Sequence, residues 1–290
     1  MLQTAFSRGR NPYQGFTEPF SWQERLIRPS GETTAVDVRP DDWDRHWAAY
    51  ASAAERNPAQ AYRRRLIIDI LLSCGRETLD RILDIGSGTG SLAGALSHAI
   101  PTADVVGLEL SRQGVERARR AVPTATFVQR DLLRDADVEP RFRGWATAAV
   151  CSEVLEHVDD PRRLLRAVVP YLAPGCRLVV TVPGGPMSAF DRAIGHRRHF
   201  TPRSLGLLLE DAGFHVQWTR RRGFPFFNLY RFVVIARGRR LTRDVRATEE
   251  SATPIAAAAM RAFDRLFRFN LDRAPLGWQI VGLATVDRPG

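Results

Sequence analysis

Apolar and polar positions along this chain follow two rhythms. Recurrence every three or four residues marks helices, and short apolar runs bounded by turn residues mark buried strands. Trp43, Trp47 and Tyr50 recur at helical spacing and predict a helix from Trp43 to about Glu55, capped by Asp41 or Asp42. Pro58 opens a second helix carrying Tyr62, Leu66, Ile70 and Leu71. Ile82, Leu83 and Ile85 predict a strand, and Leu92, Ala95, Leu96 and Ala99 a helix behind it. Strands follow at Val105 to Leu110, Thr126 to Val128, Ala146 to Cys151, Leu178 to Val182 and Phe214 to Thr219. Ser111 caps the helix after the second strand. Asp160-Pro161 starts another, with Leu164, Leu165, Val168 and Leu172 inward, ended by Ala173-Pro174-Gly175. Thr201-Pro202 opens a helix with Leu205, Leu208, Leu209 and Ala212 inward. Pro254 to Leu271 reads as an amphipathic helix, with Ala256, Ala259, Met260, Phe263, Leu266 and Phe267 on one side. Trp278 to Val286 suits a last strand. Strand–helix alternation places the chain in the α/β class.

Between the first strand and its helix lies Asp84-Ile85-Gly86-Ser87-Gly88-Thr89-Gly90. A glycine loop there lets a ligand approach the backbone, and the free amides of the helix start favour its polar or negative parts. The spacing is not the dinucleotide fingerprint, which needs a glycine where Ser91 stands, and the Walker lysine is missing. Glu109 ends the second strand 19 residues beyond Gly90, the separation at which an acidic group binds ribose hydroxyls. The alternative for Glu109 is an exposed strand end. Asp131 follows the third strand, where a helix-capping role suits it as well as a ligand-binding one.

The fourth strand runs into Ser152-Glu153-Val154-Leu155-Glu156-His157-Val158. Later come His196-Arg197-Arg198-His199-Phe200-Thr201-Pro202 and Ala212-Gly213-Phe214. In this order, the four motifs resemble class I S-adenosylmethionine-dependent methyltransferases, in the type-11, quinone-methyltransferase-like branch that acts on small molecules. The resemblance covers about residues 60–219 and 278–286. Two positions depart from the pattern: Gly144-Trp145 replaces the Asp that usually enters the fourth strand, and Cys176 replaces the second glycine of a Pro-Gly-Gly turn.

The resemblance implies a Rossmann-like, seven-stranded, mostly parallel sheet with an antiparallel last strand, helices on both faces and a helical insertion between the last two strands. It implies S-adenosylmethionine as cofactor, held by Asp84, Gly86, Ser87, Gly88, Gly90, Glu109, Leu110, Asp131, Leu132, Ser152 and Glu153. In that family Asp131 would accept from the adenine amino group, with Leu132 beside the ring. Helices ahead of the first strand often close over the cofactor there, although a plain packing role suits the aromatics of residues 43–62 as well. The expected activity is methyl transfer to a small-molecule acceptor, foremost O-methylation. An oxygen nucleophile benefits from a base near neutral pH, and histidine suits that task. His199 is the first choice, ahead of His196 and His157. No metal ligands are assigned, because H-E-x-x-H or comparable spacing is missing.

Composition then changes the picture in one segment. Of the net charge of +10, residues 219–276 carry 13 Arg against 5 acidic residues, a net of +8. The organisation expected is an irregular arm over 1–40, a methyltransferase domain over 41–219 and 278–290, and an Arg-rich helical cap over 220–277. Phe224, Phe226, Phe227, Tyr230 and Phe232 lie in that cap with its arginines, a combination suited to a hydrophobic acceptor or a peripheral membrane contact. A lid or dimer interface are the competing uses. Nucleic-acid methylation is disfavoured, since the Asp/Asn-Pro-Pro-aromatic run of such enzymes is missing after the fourth strand. The non-enzymatic alternative is a silent cofactor-binding module whose basic insertion holds membrane or another anionic partner. Oligomeric state is not legible. Three cysteines without metal-like spacing and the lack of a signal-peptide pattern predict a cytoplasmic protein.

Overall fold

A computed structural model describes residues 42–55, 57–75, 79–135, 137–247, 254–272 and 274–286. The expected arm over 1–40, and Asp41 as a cap, lie outside these residues. The elements in chain order are α1 (Trp43–Glu55), α2 (Pro58–Ser73), β1 (Arg81–Ile85), α3 (Ser91–Ala99), β2 (Asp104–Glu109) and α4 (Arg112–Ala121). They continue with β3 (Thr126–Gln129), β4 (Ala146–Ser152), α5 (Pro161–Val168), β5 (Leu172–Pro183), α6 (Ala189–Ala193) and α7 (Pro202–Asp211). The last are β6 (Phe214–Arg222), α8 (Phe226–Ala247), α9 (Pro254–Leu266) and β7 (Gln279–Val286).

The described strands form one seven-stranded sheet in the order β3-β2-β1-β4-β5-β7-β6. Pairing is parallel from β3 through β5, and β7 inserts antiparallel between β5 and β6. This is the sheet that the motifs imply. Successive side chains of a strand point to opposite faces, so each strand feeds two cores. Leu83 and Ile85 of β1, with Leu178, Val180 and Val182 of β5, join one cluster with Leu165 of α5 and Leu205 and Leu209 of α7. Ile82, Val150, Val179 and Val281 join the other, with Ile67 and Leu71 of α2, Leu96 of α3 and Ala118 of α4. Burial on both faces explains the unbroken apolar runs in β4 and β5.

Helix starts follow the caps. Asn57 accepts from the Ala59 amide, Ser111 from Gly114, Asp160 from Arg163 and Thr201 from Ser204. Leu172 belongs to a strand, not to the helix expected to run through it. Pro170 lacks the amide that a helix interior needs, the chain makes a 3-10 turn over Val169–Tyr171, and β5 begins at Leu172 opposite Ala146. The expected loop between Pro183 and Phe200 contains α6, opened by a capping box in which Ser188 and Asp191 bond each other's backbone amides.

A third, smaller cluster holds the insertion down. Phe227, Tyr230 and Val234 of α8 and Phe267 pack with Ala59 and Tyr62 of α2, with Met260 and Phe263 of α9 against them. The apolar side of α9 is therefore used within the molecule. Gly238 divides α8 with a non-helical φ of 47°, a conformation that glycine adopts without steric cost. No helix among the described residues is long and apolar enough to cross a membrane.

Candidate active site at the carboxyl edge of the sheet

The loop after β1 turns through three glycines with positive φ: Gly86 at 71°, Gly88 at 56° and Gly90 at 81°. Around it lie the acidic groups named from the sequence. Glu109 accepts from the Gly88 amide at 2.8 Å and from the Ser111 amide at 2.9 Å, so it ties the loop to the end of β2. Burial raises its pKa, against these two hydrogen bonds. Asp84 is 2% exposed, and its Oδ2 accepts no hydrogen bond. Burial, with Glu109 nearby, pushes its pKa up to about 7. The buried Ser87 hydroxyl likewise has no hydrogen-bond partner among the described residues. Two orphaned polar groups at a glycine loop suit a ligand that carries its own donors and charge. These residues fit the implied cofactor.

Helix α1 lies over this loop. A Cβ built on Gly88 would fall 2.6 Å from Trp47 Cζ2, so the indole rests on the glycine itself. Asp44 fastens the helix, accepting from the Ser111 hydroxyl at 2.5 Å and the Gln113 amide at 3.1 Å. Trp43 meets the His157 ring edge-on at 4.9 Å between centroids.

The other members of the expected set are placed variously. Asp131 Oδ1 accepts from the Leu133 and Arg134 amides, so it shapes the turn after β3. Leu132 packs against the core, while Leu110 is 44% exposed beyond β2. Ser152 bonds Thr181 at 2.9 Å. Glu153, with φ at 57°, accepts from Gln279 at 2.9 Å and pairs with Arg63 at 3.5 Å.

All three candidate histidines come together. His199 Nδ1 bonds the Gly185 carbonyl at 3.0 Å, and its Nε2 meets His196 Nδ1 at 3.3 Å. A carbonyl only accepts, so His199 carries its proton on Nδ1 and accepts from His196 through Nε2. Both nitrogens of His199 are thus committed. His196 presents Nε2 to Glu156, 4.0 Å from Oε1, and His157 Nε2 is also 4.0 Å from that oxygen. Burial lowers the pKa of His199 and takes that of His196 to about 2. Glu156 is fully buried, neither of its oxygens accepts a hydrogen bond from another of the described residues, and burial raises its pKa well above the usual carboxylate range.

Two residues that the sequence reading passed over complete the cluster. Asp191 of α6 lies 3.8 Å from His199 Nε2. Arg231 of α8 binds both its oxygens at 2.9 Å, and Ser188 donates to it twice. Burial opposes the charge, but the Arg231 fork and Ser188 prevail and bring Asp191 down to about 2. The Ser-x-x-Asp box was a readable signal for Asp191. Nothing local marks Arg231, which is 40 residues away.

A parallel sheet with a reversed β7, a glycine loop after β1 and an acidic end to β2 define a class I S-adenosylmethionine-dependent methyltransferase. The sequence model of the methyltransferase domain family matches residues 59–217, and the chain belongs to that family. It is 28% identical over 153 residues to the ubiquinone biosynthesis O-methyltransferase of Aeromonas salmonicida, across 47% of this chain and 63% of that protein. Its counterpart in Psychrobacter arcticus is 26% identical over 205 residues, across 60% of this chain and 77% of the other. Matches reach 63%, 47% and 39% of the lengths of three curated relatives, less than two thirds of each. The solved (4+2)-cyclase SpnF shares the fold, with a TM-score of 0.52 and 20% identity over 77% of this chain and 80% of that one.

Proposed function

We propose that this protein transfers the methyl group of S-adenosylmethionine to a hydroxyl of a small, largely apolar acceptor. The observation that carries the reading is the glycine loop, where Asp84 and Ser87 offer buried polar atoms that have no hydrogen-bond partner among the described residues and Glu109 holds the Gly88 amide from the strand end. Family membership and the names of the relatives support it. Those names are enzymatic, so the silent-module reading is not adopted.

Methyl transfer needs alignment more than activation, because the carbon is already bound to a sulfonium. Bound S-adenosylmethionine would supply the methyl carbon and a sulfur leaving group that keeps the C–S bonding pair, and the acceptor hydroxyl proton would go to a base or to water. Asp84, Gly86, Ser87, Gly88, Gly90, Glu109 and Ser111 hold the cofactor side. Leu110, Asp131 and Leu132 flank its base, while Ser152 and Glu153 anchor the end of β4. Glu156, His157 and His196 face the acceptor. His199 is a positioning residue that fixes His196, rather than the base. Trp43 and Trp47 exclude water from above.

Acceptor choice is assigned to residues 220–277. Leu229, Phe232 and Val233 of α8 are exposed, as are Phe269, Leu271 and Leu276. They provide an apolar face for a hydrophobic acceptor or a lipid surface. The free cysteines Cys74, Cys151 and Cys176 suit a reducing cytoplasm. The test is calorimetry with S-adenosylhomocysteine, beside methyl-transfer assays on phenols, catechols and carboxylates. Tight binding and product formation on a phenolic acceptor are expected. Failure to bind would remove the reading.

A further inference from the structure

We propose that Glu156, His157 and His196 form a binding site for a divalent transition-metal ion of the zinc type. The sequence reading set aside a metal at Glu153, Glu156 and His157, because H-E-x-x-H or comparable spacing is missing there. Folding brings the 3-10 turn Leu155–His157 after β4 and the loop after α6 together, and the three candidate ligand atoms lie within 4.8 Å of one another.

Four features point to a cation there. The first is the Glu156 carboxylate, fully buried with neither oxygen hydrogen-bonded. A buried carboxylate without donors is costly unless a charge compensates it. The second is the local charge balance. Asp191 is paired with Arg231 and Glu153 with Arg63, whereas the groups facing Glu156 are two imidazoles, His157 and His196, each 4.0 Å from Oε1.

The third is the tautomer order already described. Gly185 fixes the proton of His199, His199 fixes that of His196, and His196 Nε2 is left bare toward Glu156. A metal-bound histidine characteristically donates its other N–H to such a supporting acceptor. The fourth is distance. Each imidazole Nε2 lies 4.0 Å from Glu156 Oε1, and the three ligand atoms fall within 4.8 Å of one another. A centre about 2.3–2.5 Å from all three follows, so a contraction of roughly 0.2–0.5 Å gives the ~2.0–2.1 Å of a zinc–nitrogen bond.

A second grouping, Asp191 with His196 and His199, satisfies the same separation. It is excluded as the site, because Arg231 and Ser188 already occupy Asp191 and both nitrogens of His199 are committed. Two imidazoles and one carboxylate favour zinc, iron or cobalt over magnesium or calcium, which prefer oxygen shells. Three protein ligands leave a position open. On the methyl-transfer reading, an ion held by Glu156, His157 and His196 would take the acceptor hydroxyl in that position and lower its pKa, so that its proton would leave to water rather than to a free histidine base.

The test uses the full chain, dialysed against a chelator and titrated with Zn²⁺ and Co²⁺ by calorimetry, with X-ray absorption on the zinc-loaded protein. One ion per chain is expected, with two imidazoles and an oxygen at about 2.0–2.1 Å. His199→Asn should weaken the ion about 10–100-fold as a loss of support, and Glu156→Gln or His196→Asn by more. No binding by the wild type, or affinity unchanged in Glu156→Gln and His196→Asn, overturns the site. Should those variants not fold, an absorption spectrum without imidazole decides against it. Affinity for S-adenosylhomocysteine is measured in parallel. Metal binding without methyl transfer would overturn only the catalytic reading. Full methyl transfer by a chain that binds no ion would overturn only the metal.

Discussion

At Asp84, a single carboxyl makes cofactor binding sensitive to pH. Its pKa is raised to about 7 in the fold, above the unfolded value of 3.8. For an acid shifted upward, folding gains nothing from ionisation, so the cost of burying the charge grows as pH rises from about 4 to 7. A ligand carrying an ammonium group binds the ionised form, so affinity for S-adenosylhomocysteine should climb through pH 7. Calorimetry at pH 6 and 8 should differ by up to about tenfold, and Asp84→Asn should flatten the dependence. Asp191 behaves in the opposite sense. Its pKa falls to about 2, so its ion pair stabilises the fold above about pH 4 and loses that contribution as pH drops toward 2. Arg231→Met strands this carboxylate in the interior and should cost about 3–5 kcal/mol in urea unfolding at pH 7. Gly88→Val should abolish cofactor binding, since the new side chain meets both a φ of 56° and the Trp47 ring.

Among the elements, α1 is the one whose role depends most on its placement. Its periodicity predicted a helix over the observed span, but period alone does not say what an aromatic stripe covers. Asp44 on Ser111 and Trp47 on Gly88 answer that: the helix roofs the loop. Trp47→Phe should therefore remove most of the change in intrinsic fluorescence on titration with S-adenosylhomocysteine, while Trp145→Phe should leave it intact. Strands and long helices were legible because two-face burial and caps write themselves into local sequence. The short α6 was not, since five residues are too few to establish a period. Leu172 was misplaced because its spacing from Val168 fits a helix, whereas Pro170 and the pairing with Ala146 decide for a strand. The Asp84, Glu109 and histidine positions were readable from motifs. Arg231 on Asp191, and Gln279 on Glu153, were not, because 40 and 126 residues separate the partners.

For the whole molecule, the basic character is confined to a segment that the core also uses. The stripe of α9 that invited a lipid contact packs with Tyr62 and Tyr230 instead, leaving Arg261, Arg265 and Arg268 exposed beside it. Any membrane contact then falls to α8, through Leu229, Phe232 and Val233. Co-sedimentation with anionic vesicles at low salt should be reduced by Phe232→Ser. Arg261, Arg265 and Arg268→Gln together should abolish its dependence on salt. No pelleting of the wild type would leave this face to the acceptor alone.

The insertion leaves the sheet after Arg222 and returns at Gln279, and these two residues are register partners in β6 and β7. Gly277 lies so close to the Arg222 backbone that a Cβ there would collide with it. Exit and entry are thus one strand spacing apart, about 4.8 Å. Such a junction is a docking port in the genetic sense: segments of differing length can be exchanged there while the paired strands keep their register. The Arg231–Asp191 contact sets a condition on that exchange, because a transplanted segment must bring its own counter-charge to α6. On the proposed role of residues 220–277 in acceptor choice, grafting would confer new preferences from donors that carry an arginine in the equivalent place.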